Sequence, residues 1–370
     1  MTDGGRAFLV FPRWVSNPYL TMLYLAAEAD GWNFQGTTSL QGFEHHAEGL
    51  VAGDVAHVHW TSPVLAGCET DAEALARLER FRGALAGLRS RGAHVLWTVH
   101  NELAHDARFP DVEKQIGQAL AEHATVVVQL HEHTAAAVST SYRIPPEKLV
   151  TVRHSSYAGV YPDGWTTEQA RAELGVPEDA YVVGFIGQIR PYKGVDVLCA
   201  AIEAAAQRMP DLALLLAGRV SAEDAPLLEK LLPASVPVVE HLAFVPDEEL
   251  GLWLRATDIV ALPYQRILNS GSALLAASFG TPVVIPGSST LSAVYEGEDW
   301  VRTYRADGDQ AANLADALVE ARTATATASE SAARFAREYT PWAMSRDFLA
   351  VLDALPAAAP RDTPTNQVLR

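Results

Sequence analysis

Three clusters of residues in this sequence are of the types, and at the spacings, that chemistry needs. The first is Gly187-Gln188-Ile189-Arg190-Pro191-Tyr192-Lys193-Gly194. It sets two cations, Arg190 and Lys193, in a glycine-flanked turn between an apolar run and a helical stretch. A helix N-terminus adds unpaired N–H groups and partial positive charge, so this turn can hold an anion. Solvated cations in an ordinary loop would also explain these residues. The second cluster is Asn269-Ser270-Gly271-Ser272. Asn and Ser are helix-capping types, and Gly271 leaves the backbone open to close approach. Exposed N–H groups at such a turn suit phosphate oxygens; a capped core helix is the plainer alternative. The third cluster is histidine at strand ends. His57-Val58-His59-Trp60 and Thr98-Val99-His100-Asn101-Glu102 each close an apolar run. Imidazole can bind a polar ligand or carry a proton near neutrality, and it can equally serve as a hydrogen-bonded strand terminus.

The elements that position these clusters alternate between two kinds. Short runs rich in Val, Ile and Leu read as buried parallel strands: Ala7–Pro12, Val55–His59, His94–His100, Thr125–Gln129 and Leu149–Arg153 in the first half. In the second half they are Tyr181–Ile186, Leu212–Ala217, Val238–Leu242, Ile259–Leu262 and Val283–Pro286. Alanine-rich helical stretches separate them, among them Pro18–Asp30, Ala72–Ser90, Val195–Arg208 and Gly308–Glu338. This alternation predicts an α/β fold with two doubly wound, Rossmann-like domains. The expected division is an N-terminal domain over 1–158, a linker over 159–176, a C-terminal domain over 177–340, a crossover helix over 341–355 and a disordered tail over 356–370. In open parallel sheets ligands bind beyond the carboxyl ends of the strands, which is where all three clusters fall. The first strand also ends in an unusual loop, Arg13-Trp14-Val15-Ser16-Asn17-Pro18. Ser16 or Asn17 would cap a helix that has Pro18 at its first position, which leaves Arg13 and Trp14 unexplained. His131, His133 and His154 follow later strands, but their spacing fits no metal ligand set.

Composition narrows the function. The chain has 370 residues, 49% hydrophobic and 20% charged, with 28 Lys+Arg against 45 Asp+Glu and a net charge of −17. A general grip on nucleic acid needs clustered cations, so none is expected; a small phosphorylated ligand needs only one or two. No stretch approaches the ~20 apolar residues of a membrane span, which leaves peripheral membrane contact open. The N-terminus lacks the apolar run of a signal peptide, and Cys68 and Cys199 make neither a disulfide framework nor a zinc pattern. The expected location is the cytoplasm. Oligomeric state cannot be read from the sequence.

Five motifs occur here in the order found in GT-B glycosyltransferases: Gly187…Lys193-Gly194, Ala217-Gly218-Arg219, Phe244-Val245-Pro246-Asp247-Glu248-Glu249-Leu250, Ala256-Thr257-Asp258-Ile259-Val260-Ala261-Leu262-Pro263-Tyr264 and Gly280-Thr281-Pro282-Val283-Val284. The sequence resembles the family 4-like group, strongly over Val182–Val284 and by architecture elsewhere. The resemblance implies two Rossmann-like domains facing a cleft, with a C-terminal helix returning to the first domain. It further implies a metal-independent transferase that moves a sugar from a nucleotide-diphosphate sugar to a hydroxyl acceptor, with no cofactor. Arg190 and Lys193 would hold the diphosphate, with Gly187, Asn269, Ser270, Gly271 and Ser272 around it; Gly218, Phe244 and Val245 would lie near base and ribose. His100 would sit beside the transferred sugar, as a binding group or a general base. Arg13, Ser16, Asn17, His59, Trp60, Asn101 and His154 would line the acceptor side, and Glu102, His105 and Asp106 are candidate bases for an inverting reaction. The pattern is broken in one place. Many members carry two glutamates separated by seven residues around the second loop; Ile267 and Leu275 stand there instead, and Gln188 replaces a common Arg. A sugar-nucleotide epimerase and a non-catalytic nucleotide-sugar-binding subunit are the alternatives.

Overall fold

In the computed structural model of the chain, residues 7–104, 107–265 and 267–356 are described. His105 and Asp106, Arg266 and residues 357–370, which make up nearly all of the expected tail, lie outside them. The chain divides into two compact units, 1–153 with 344–370 and 154–343. Residues 159–176, expected as a linker, lie inside the second unit. They carry the helix Thr167–Leu174, closed by a Thr166/Gln169 capping box and ended by Gly175 in the left-handed conformation. The final helix, Pro341–Asp353, joins the first unit from residue 344 onward.

The first unit is one parallel sheet of six strands: β1 (Ala7–Phe11), β2 (Asn33–Gly36), β3 (Val55–Val58), β4 (His94–Val99), β5 (Val126–Gln129) and β6 (Leu149–Thr151), in the order β2-β1-β3-β4-β5-β6. The second repeats the plan with β7 (Tyr181–Ile186), β8 (Leu212–Ala217), β9 (Val238–His241), β10 (Ile259–Ala261), β11 (Val283–Pro286) and β12 (Val301–Tyr304), in the order β12-β11-β10-β7-β8-β9. The central strands β3, β4, β7 and β8 are buried at every residue. A strand covered by helices on both faces must be apolar along its whole length, which is why these read so clearly in the sequence. The expected strands are present. Two edge strands, β2 and β12, were not expected: Asn-Phe-Gln-Gly and Val-Arg-Thr-Tyr are half-buried and lack the continuous apolar run. The single helix expected over Gly308–Glu338 is two, Gln310–Ala321 and Thr325–Glu338, with a 3-10 turn at Arg322–Ala324 between them.

Each sheet has a point where the strand order reverses. In the second unit it falls between β7 and β10, in the first between β1 and β3. These are the crevices where open parallel sheets take ligands.

Candidate functional site

In the second unit the loops after β7 and β10 meet. Gly194 ends the turn Pro191–Lys193 in the left-handed conformation, and a Cβ placed on it would fall 2.2 Å from the Pro263 carbonyl oxygen. The Gln265 N–H donates to the Tyr192 carbonyl at 2.9 Å. Gly187 has φ 137°, and a methyl added there would meet Lys193 Nζ at 3.7 Å and Ser272 Oγ at 3.8 Å. An amine, a hydroxyl and a bare stretch of backbone thus converge at one spot. Behind them Gly218, at φ 149°, follows β8; a Cβ on it would lie 1.8 Å from the Gly187 carbonyl oxygen, so only glycine fits.

Lys193 lies half-buried, its Nζ 5.4 Å from the Tyr264 ring centre and 5.9 Å from that of Phe185. Burial lowers its pKa, and the nearby Arg190 charge lowers it further against an opposing effect of Tyr192. A cation held in this way gains from a neighbouring anion. The Tyr264 hydroxyl is buried and pushed up to about 12 by that burial, offset in part by Ser272. Ser270 caps the helix Gly271–Ser278, accepting from the Ala273 N–H at 3.2 Å. Asn269 is half-buried at the same turn. Gly271 has the Tyr157 hydroxyl beside it, 2.8 Å from where a Cβ would stand. Ile267 and Leu275, which replace the glutamates, are half-buried and pack against the core of this unit. Phe244 is 60% exposed with the Arg219 guanidinium 5.7 Å from its ring centre, whereas the Val245 side chain is buried in the core. Arg190 is half-buried at the start of its turn. His154 belongs to this unit; its Nδ1 lies 2.8 Å from the Ser155 carbonyl oxygen, and burial lowers its pKa to about 4.

The first unit builds differently. His57 and His59, two residues apart, share one face of β3 and its extension; Thr98 and His100 do the same on β4. The helix Pro18–Ala29 brings Tyr24 against them. The Tyr24 hydroxyl lies 2.8 Å from His57 Nδ1 and 2.7 Å from His59 Nε2. His57 Nε2 is 2.8 Å from Thr98 Oγ1, and His59 Nδ1 is 3.0 Å from His100 Nε2. All five groups are buried. Burial lowers His57 to about 3 and lowers His59, with the neighbouring His57 and His100 adding to the effect. Trp60 stacks on His100 at 4.2 Å and Trp14 on Trp60 at 4.8 Å, while Tyr19 meets His100 edge-on.

His59, Trp60, Trp97, His100, Asn101 and Glu102 line a pocket at this end of the sheet, together with Glu113 and Tyr142. Glu102 accepts from the Ser141 hydroxyl at 2.6 Å. Glu113 is buried, and burial raises its pKa against the opposing Ala104 N–H, which donates to it at 2.7 Å. Sequence reasoning passed over Glu113 and Tyr24, and gave Thr98 no role beside His100. Their helices and strands were expected, but nothing in spacing alone says that they share a site with His100. Of the first loop, Asn17 caps its helix, accepting from the Tyr19 N–H at 3.0 Å. Ser16 is exposed, and Arg13 donates to the Phe34 carbonyl at 2.9 Å. Among the described residues no cluster of three or more His, Cys, Asp or Glu is arranged to hold a metal, and no helix is long and apolar enough to cross a membrane.

Residues 180–323 match the family described as Glycosyl transferases group 1. A D-inositol 3-phosphate glycosyltransferase of Corynebacterium efficiens is 32% identical over 237 residues, 61% of this chain and 55% of that protein, so the chain spans about half the length of this relative. A GDP-mannose:glycolipid 4-beta-D-mannosyltransferase of Xanthomonas campestris is 29% identical over 314 residues, 84% of this chain and 81% of its own length. Among solved structures, Anabaena HepE in complex with UDP-glucose matches with a TM-score of 0.72 and 16% identity, over 94% of this chain and all of that one. A sucrose-phosphate synthase from Thermosynechococcus elongatus matches with a TM-score of 0.71 and 15% identity, over 94% and 98%.

Proposed function

We propose that the chain, whose residues 180–323 match the Glycosyl transferases group 1 family and whose two units have the fold of the solved neighbours, is a GT-B transferase of that family and moves a sugar from a nucleoside diphosphate sugar to a hydroxyl acceptor without a metal. One observation carries this reading: Lys193 Nζ and Ser272 Oγ both border the bare Gly187 backbone, at the crevice between β7 and β10. That is the donor set a diphosphate needs.

The chemistry follows from charge. As the glycosidic bond to the diphosphate breaks, negative charge grows on the leaving phosphate oxygens. Lys193 and Arg190 oppose it with fixed positive charge, and the N–H groups at the start of Gly271–Ser278 with partial charge. The lowered pKa of Lys193 fits this role, because an arriving diphosphate supplies the anion that the burial of the amine lacks. Phe244, exposed beside Arg219, offers a face for the base, with Gly218 clearing the approach. Asn269, Ser270 and Ser272 take over hydrogen bonding from the replaced glutamates. On the other unit, the pocket of His100, Trp60 and Asn101 takes the transferred sugar and the acceptor. The mannosyltransferase relative is named for GDP-mannose and the solved neighbour holds UDP-glucose, so the base is a matter for measurement. Two buried free cysteines, Cys68 and Cys199, accord with a reducing, cytoplasmic setting.

Thermal stability in the presence of EDTA tests the site. UDP, GDP, TDP and ADP are added separately, and one of them at 100 times its Kd should stabilise the protein by about 2.7 kcal/mol. Lys193→Ala should abolish that shift and cut turnover about a hundredfold, with the melting temperature of the free protein unchanged. Near-normal turnover in Lys193→Ala would remove the assigned phosphate site.

A further inference from the structure

The five buried groups Thr98, His57, Tyr24, His59 and His100 form one unbroken chain of hydrogen bonds, and its proton arrangement can be derived. His57 and His59 use both ring nitrogens within it. A neutral imidazole has one N–H and one lone pair, so each ring must donate at one end and accept at the other. Tyr24 has one O–H to give, and it stands between two nitrogens. Three arrangements keep all four bonds: every donor pointing toward His100, every donor pointing away, or both neighbouring rings donating to the Tyr24 oxygen. The last leaves the buried Tyr24 O–H without an acceptor, at a cost of about 1–3 kcal/mol, which leaves the first two. The lowered pKa values of His57 and His59 support the neutral state that this requires.

Thr98 decides between them. Its side chain is 0% exposed and its hydroxyl has His57 Nε2 as its hydrogen-bond partner. If the donors point away from His100, His57 Nε2–H donates to Thr98 and the threonine's own O–H is left buried with no acceptor, at a cost of about 1–3 kcal/mol. If they point toward His100, Thr98 donates to His57, His57 Nδ1–H to Tyr24, Tyr24 to His59 Nε2, and His59 Nδ1–H to His100 Nε2. Every polar atom from Thr98 Oγ1 to His100 Nε2 is then satisfied.

We infer that Thr98, His57, Tyr24 and His59 are positioning residues that fix His100 as its Nδ1–H tautomer, so that it meets the sugar as a hydrogen-bond donor and not as a general base. Its Nε2 lone pair is committed to His59, and its ring is held between the Trp60 stack and the edge of Tyr19. Among the described residues, His59 and Tyr19 are ionisable groups that face it, with Glu102 and Glu113 lining the same pocket. The role of His100 toward a sugar rests on the transferase reading; its tautomer does not.

The test reads the tautomer directly. The full chain, labelled with 15N in its imidazoles, is examined without substrate at pH 8 by long-range proton–nitrogen correlation, and His100 is assigned by the signals lost in His100→Gln. The expected pattern is a protonated Nδ1 and a lone-pair Nε2 on His100, and the same tautomer on His59. Thr98→Val removes the one hydroxyl that orients the chain and should convert the His100 signals to a mixture of tautomers, while Thr98→Ser restores the wild-type pattern. A His100 that carries its proton on Nε2 overturns the inference, whether or not the protein transfers sugar. A pure Nδ1–H tautomer retained in Thr98→Val overturns the part assigned to Thr98. Lack of transferase activity, with the expected tautomer present, overturns the functional reading and leaves the hydrogen-bond chain standing.

Discussion

At the end of the second unit's sheet the main chain itself makes the site. Gly187, Gly194 and Gly218 sit in positive-φ conformations, each close to another backbone segment or to a functional side chain, and Lys193 and Ser272 are set around the space they leave. At the end of the first unit's sheet the strands are regular and the site is made of side chains, with buried rings bonded ring to ring behind His100. The two constructions fail differently. A site made of backbone tolerates no added atom at its closest approaches. A site made of a hydrogen-bond chain tolerates shape changes poorly at one link and is sensitive to protons throughout.

The sharpest break in this contrast is Gly218→Ala. Its methyl would overlap the Gly187 carbonyl oxygen in a conformation that L residues rarely adopt, at a cost of at least about 3 kcal/mol. The expected result is a lower melting temperature together with loss of the diphosphate-induced shift, read by thermal denaturation. Acid comes next, and it should act on the first unit. His57 falls from 6.5 to about 3 on folding. The unfolded chain therefore binds more protons between those values, and stability is lost as pH falls through that window. Going from pH 7 to pH 5 should remove about 2 kcal/mol through His57 alone, with His59 acting in the same direction. His57→Phe should flatten the pH dependence by that amount, as followed by calorimetry; an unchanged slope would mean that His57 is not buried as a neutral ring. Glu113 has the opposite sign. Its folded pKa is raised, so its buried carboxylate costs stability once pH rises through that value. Glu113→Gln should raise the melting temperature at pH 7, and the difference should close toward pH 4.5. The smallest effect separates two neighbours in the first loop. Asn17→Ala should cost about 1 kcal/mol as a lost helix cap, while Ser16→Ala should stay within about 0.5 kcal/mol.

The same contrast explains what could be read in advance. Glycines and cations in fixed order along one loop are local signals, so the turn from Gly187 to Gly194 and the Ser270 cap stood out from the residues alone. The central strands were legible because burial on both faces leaves no polar residue to interrupt them, and edge strands such as Val301–Tyr304 were missed because they have a wet side. The chain behind His100 was only half legible. His57 with His59, and Thr98 with His100, are polar pairs two residues apart in otherwise apolar strands, a spacing that puts each pair on one face. Tyr24 comes from a helix far away in sequence, and no local pattern links it to them. Glu113 was hidden for the same reason: on its helix it looks like an ordinary first-turn acid.

Phe348 of the last helix is fully buried against the first unit. It stacks on His57 at 5.2 Å and meets Phe8 and Tyr24 with its edge. The second unit is a continuous piece of chain, but the first cannot close until this ring arrives. During synthesis, residues 1–153 therefore leave the ribosome with a gap beside His57 the size of a phenylalanine, a defect of about 3–5 kcal/mol in a finished core. The unit translated first is the one completed last, and a nascent chain halted before residue 348 should hold a folded second unit beside an unfinished first.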